Sequence, residues 1–131
     1  MKAQDYFEQY ADAKRIIIRL QKEYESEMEI LDSICSSPHY RNLYQDDSEL
    51  IKARVNARKL QQEALKYSRI CDEIEATIEQ IPGIKGEILY ERYINCAAWE
   101  QIADRVYYSL GYVQRLHRQA LEELQSVIDN K

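Results

Sequence analysis

Two long heptad series constrain this chain more than any other feature. Stepping by three and four residues from Ala3 gives Ala3, Tyr6, Tyr10, Ala13, Ile17, Leu20, Tyr24, Glu27, Leu31 and Ile34, nine of ten apolar or aromatic, with Glu27 the break. A second series runs Leu50, Ala53, Ala57, Leu60, Ala64, Tyr67, Cys71, Ile74, Ile78 and Ile81, and all ten are apolar or aromatic. Repeats of this length lay a narrow apolar seam along a helix, and such a seam needs a partner helix to cover it. Pro38 and the serines before it stop the first helix, because proline cannot continue the hydrogen-bond ladder. Asp46 followed by Glu49 has the form of a capping box that starts the second. Each helix then spans about 32 residues, or roughly 48 Å. Their similar lengths favour an antiparallel hairpin (a coiled coil within one chain), and the small Ala53, Ala57 and Ala64 allow close approach. The same heptads are open to self-association as a four-helix homodimer.

Composition narrows the class. At 131 residues the chain is one domain, or one small domain with a helical arm, and only three Gly and two Pro supply its turns. That scarcity argues for an all-α fold of long helices. No stretch approaches the ~20 apolar residues of a membrane span, so no membrane partner is expected. The first residues carry acids and no apolar core, so they do not read as a secretory signal, and the expected location is cytoplasmic. Cys35, Cys71 and Cys96 are odd in number and show no CxxC spacing, which points to reduced, mostly buried thiols. With only His39 and His117 beside them there is no ligand set for a metal, and no cofactor is expected. No Ser-His-Asp set, phosphate-binding glycine loop, HExxH or carboxylate pair points to an enzyme.

At 81–83, Ile-Pro-Gly ends the second helix, and Gly83 can take positive φ. The expected division is an arm over 1–82 and a compact three-helix domain over 83–131, with helices at 86–94, Trp99–Val106 and 110–128. Two helices crossing over a short turn need small or apolar residues on their inner faces. Trp99, Ile102, Ala103 and Val106 supply one face, and Val113, Leu116, Ala120, Leu121 and Leu124 supply the other. Ile88, Leu89, Tyr93 and Ile94 form the supporting helix. Tyr108 is expected to plug the turn, and Ser109 to cap the helix after it.

The run 98–124, AWEQIADRVYYSLGYVQRLHRQALEEL, resembles without a gap the promoter −35-reading domain of bacterial sigma factors. The preceding ILYERYINCAAW is similar to the helix leading into that domain's turn. The whole plan resembles small phage and prophage transcription regulators of the ArpU/RinA type, which join a helical N-terminal half to a sigma-like helix-turn-helix. The close resemblance runs from position 87 to position 124, under a third of the chain. It implies a DNA-binding regulator of transcription, with double-stranded DNA as partner and RNA polymerase as a second one. It puts Leu110, Gly111, Gln114 and Arg115 on the groove-facing side of the recognition helix. His117 and Arg118 lie one turn along, with His117 read as solvated or facing a phosphate. The resemblance also implies phosphate contacts from Ser109 at the helix start, and from Arg105 and Tyr107 at the turn. Sigma factors usually carry charged residues where this chain has Leu110 and Gly111, so a different target sequence is expected. Tyr112 is a further candidate for DNA contact.

The net charge of −5 runs against nucleic acid, but its distribution is uneven. Residues 1–82 hold 12 basic and 16 acidic side chains, giving −4, and residues 83–131 hold 6 and 7, giving −1. Over 105–121 there are Arg105, Arg115 and Arg118 and no acid. Two other classes stay open: an adaptor with a sigma-like fold that docks on RNA polymerase without reading DNA, and an accessory of phage DNA packaging or replication.

Overall fold

A computed structural model of the chain describes residues 1–36 and 48–131. Among them every regular element is helical and there is no strand. The elements are α1 (Ala3–Ser36), α2 (Ser48–Glu79), α3 (Gly83–Leu89), a π-helical turn (Tyr90–Ile94), α4 (Trp99–Val106) and α5 (Leu110–Asp129). No helix among the described residues is long and apolar enough to cross a membrane. The expected connection through Pro38 and the capping box of Asp46 and Glu49 lie outside the described residues.

The heptad seams account for most of the burial along both long helices, with Phe7 and Thr77 buried beside them. Every described seam position is buried or half-buried, including the break at Glu27, and Ala53, Ala57, Cys71, Ile74 and Ile78 are buried. The chain divides into two compact units, residues 1–14 with 69–131, and residues 15–68. In the smaller unit Met28 and Leu31 of α1 pack on Leu50 and Ala53 of α2.

The larger unit does not begin at residue 83. It takes in the start of α1 and the end of α2, which run antiparallel there. Tyr6 shares a 3.2 Å hydrogen bond with Thr77, whose hydroxyl also donates to the Glu73 carbonyl at 2.9 Å. Tyr10 donates to Glu75 at 2.5 Å, and Cys71 lies against the Tyr10 carbonyl. Gln125 of α5 accepts from the Ala3 amide at 2.8 Å and donates to the Met1 carbonyl at 2.7 Å, tying the start of α1 to α5. Phe7 is fully buried and stacks on Tyr93 at a centroid distance of 5.3 Å. The cysteines depart from expectation: Cys71 is buried, but Cys35 and Cys96 are exposed, and all three are free thiols.

The supporting helix starts three residues earlier than its sequence suggests. Gly83 opens it with φ +73, and Gly86 is buried where a Cβ would collide with the Ile81 carbonyl. Its last turn widens to a π-helix, in which the Asn95 amide reaches back five residues to the Tyr90 carbonyl at 3.2 Å. Cys96 then takes φ 54 and turns the chain into α4. Arg92 fastens this corner, donating to the Ala97 carbonyl at 3.1 Å while its guanidinium lies 4.3 Å from the Trp99 ring centre.

Candidate nucleic-acid interface

α4 and α5 owe their relative placement to one apolar core. Ile88 of α3, Ala97 before α4, Ile102 and Ala103 of α4, and Val113 and Leu116 of α5 form it, with Ile84, Trp99 and Val106 packed at its edge. Burial of these side chains, at about 1.5–3 kcal/mol for each large one, fixes which face of α5 points inward and which is left to solvent. At the start of α4 the Gln101 side chain accepts from the Ala98 amide at 3.1 Å. Ala98 has no acceptor to return, so only half of a capping box is present. α4 ends at Tyr107, whose φ of 62 and ψ of 35 lie in the left-handed region. The amides of Tyr107 and Tyr108 both donate to the Ala103 carbonyl, which closes the helix end. Ser109 then takes extended backbone and accepts from the Tyr112 amide at 3.3 Å, the cap expected from the sequence.

On α5 the exposed positions Leu110, Gly111, Gln114, Arg115 and Arg118 follow one another at helical spacing and share one face. Among the described residues neither Arg115 nor Arg118 has a hydrogen-bond or ion-pair partner. No acid lies between positions 107 and 121, so this face is electropositive relative to the rest of an acidic chain. At the turn, Tyr107 is 92% exposed, and Tyr108, Leu110 and Tyr112 are also exposed.

Three of the expected residues behave differently from their neighbours. His117 is a correction: it is buried rather than solvated, and it points inward with Val113 and Ala120. Its Nε2 shares a 2.7 Å hydrogen bond with the Tyr93 hydroxyl, and its ring meets Trp99 edge-on at 4.8 Å. Burial, with Arg92 and Arg118 nearby, pushes its pKa down to about 4, so the ring is neutral at physiological pH. Burial likewise pushes the Tyr93 phenol up to about 12. Tyr108 is a second correction. It does not plug the turn but lies half in solvent, 5.0 Å from the Tyr112 ring. Arg105 stays near the turn, but its guanidinium is held by Glu91 in an ion pair, so it is less available to a phosphate than Arg115 or Arg118.

Sequence reasoning missed Phe7, Thr77 and the Tyr93–His117 pair. A signal for Phe7 was present, since Ala3, Tyr6, Phe7 and Tyr10 make a stripe wider than a two-helix seam needs. Among the described residues there is no cluster of three or more His, Cys, Asp or Glu able to hold a metal ion. Compared with known proteins, the chain matches no protein-family model, no curated protein and no solved structure.

Proposed function

We propose that this chain is a sequence-preferring DNA-binding regulator of transcription that acts with RNA polymerase. In this reading α1 and α2 form a helical hairpin, and α3, α4 and α5 form a sigma-like helix-turn-helix with α5 as its recognition helix. The observation that carries the reading is the exposed α5 face with Gln114, Arg115 and Arg118 in an acid-free run. Its two arginines have no ion-pair partner among the described residues. An arginine forks onto a guanine edge and a glutamine onto an adenine edge, each such pair discriminating by about 1–3 kcal/mol. The capped start of α5 leaves backbone amides for a phosphate, which orients the helix without reading sequence.

Site selection from random duplexes, followed by binding at several salt concentrations, tests this. The expected outcome is one preferred duplex, bound more weakly as salt rises. Replacing both Arg115 and Arg118 by Ala should weaken binding by about 2–4 kcal/mol and flatten the salt dependence. Wild-type affinity in that double variant would remove α5 as the recognition helix.

A second reading is supported by the exposed Tyr107, Tyr108, Leu110 and Tyr112, since tyrosines are enriched where proteins meet proteins. Here the same turn docks on RNA polymerase without reading DNA. Retention of polymerase by a chain that selects no duplex decides for it.

A further inference from the structure

Glycine weakens a helix because its backbone loses more freedom on folding than any other residue, so a helical glycine calls for a reason. The chain has three glycines. Gly83 takes φ +73, which side chains resist, and Gly86 sits where a Cβ would collide with the Ile81 carbonyl. Both reasons lie within the fold. Gly111 has neither: it is an exposed residue of α5, and a Cβ built on it meets nothing within 4 Å. The fold would accept alanine there, so the described residues give no reason for the glycine, which directs attention to a partner outside the chain.

Charge indicates the nature of that partner. Arg115 lies one turn from Gly111 and Arg118 one turn further along, both exposed, in an acid-free run of a chain whose net charge is −5. A polyanion is the complementary partner, and Gln114 beside Arg115 suits base edges better than phosphates alone. Leu110, next to Gly111, is an aliphatic side chain 38% exposed on this otherwise polar face. The apolar group on the floor of the major groove is the thymine 5-methyl.

We propose that Gly111 is the point of closest approach between α5 and a DNA duplex, and that Leu110 and Gly111 together receive the 5-methyl group of a thymine. The proposal rests on the DNA-binding reading and names the group which that site recognises. The missing Cβ lets the helix backbone reach the base edge, and Leu110 walls the methyl off from water.

The test uses the full chain and a duplex selected from random sequence. Parent, Gly111→Ala and Leu110→Ala are bound to that duplex and to versions in which each thymine in turn is replaced by deoxyuridine, which lacks only the methyl. Gly111→Ala is expected to melt at the parent's temperature or up to about 3 °C above it, while binding at least about tenfold more weakly. Deoxyuridine at one position is expected to weaken the parent about fourfold, the worth of one buried methyl, and to leave Leu110→Ala unchanged. The proposal is overturned, with DNA binding intact, if Gly111→Ala binds as tightly as the parent. It is likewise overturned if that variant melts below the parent, since the glycine then has a reason inside the fold, or if no deoxyuridine position matters. If no duplex is selected, with or without retention of RNA polymerase, the proposal and the DNA-binding reading fall together.

Discussion

At residue 117 a histidine occupies a position that serves the core. Its neutral ring holds the Tyr93 hydroxyl and lies edge-on to Trp99, so protonation would bury a charge next to Arg92 and Arg118. The folded pKa of about 4 lies below the ordinary value near 6.5, so between them the unfolded chain binds more protons. The stabilisation is fully present above about pH 6.5 and is lost as pH falls towards 4, amounting to about 3 kcal/mol. Denaturant midpoints between pH 7 and 4.5 should fall in the wild type, and His117→Gln should flatten that slope. Equal slopes in both proteins would mean that other groups carry the acid sensitivity. The histidine's place is legible in the spacing, because 113, 117, 120 and 124 lie on one helical face. A polar residue in that stripe nonetheless reads as solvent-facing, because its partner, Tyr93, stands on another element. The exposed face needs no such partner: the outward spacing of Gln114, Arg115 and Arg118 follows from the apolar positions between them.

Among the elements, α4 is the one whose bounds and core residues coincide with its sequence pattern, and α5 begins as expected at Leu110. Both are set locally, by Ser109 and by the alternation of apolar and polar residues. The supporting helix is not local in this sense. Its π turn carries Tyr93, which stacks on Phe7 and bonds to His117, and no spacing rule encodes those contacts. The turn between α4 and α5 holds a tyrosine in a conformation that costs a non-glycine residue about 1–2 kcal/mol, and its ring is almost wholly in solvent. Tyr107→Gly should therefore raise stability by about 1 kcal/mol, read from a denaturant midpoint. A lower midpoint would show that the ring makes a stabilising contact. If the variant also binds the selected duplex more weakly, the strained tyrosine is retained for that contact.

Taken as a whole molecule, the chain divides differently from its heptads. The seams extend through residue 81 and suggest an arm separate from the helices after it, because periodicity reports a stripe without naming the element that covers it. The larger unit instead draws on residues 1–14 and on the end of α2 from Arg69, with Phe7 and Tyr6 as core residues. A fragment of residues 83–131 would lose the cover over Tyr93, and a domain of that size is marginal even when intact. It is expected to melt without a cooperative transition by circular dichroism. A chain in which residues 15–68 are replaced by a short Gly/Ser turn joining Lys14 to Arg69 is expected to keep one. A cooperative melt from the 83–131 fragment would make the segment from Met1 to Lys14 dispensable.

The bonds from Gln125 to Met1 and Ala3 bear on how the molecule is made. Gln125 and Ala3 are separated by 122 residues, and ribosomes add about 5–20 residues per second. For roughly 6–24 s the apolar stripe of Ala3, Tyr6, Phe7 and Tyr10 exists before α5 has been made to meet it. Residues 3–10 are thus translated well before the α5 contacts that tie them down, and during that interval the side of the stripe that meets α5 is open to a chaperone or to a neighbouring nascent chain.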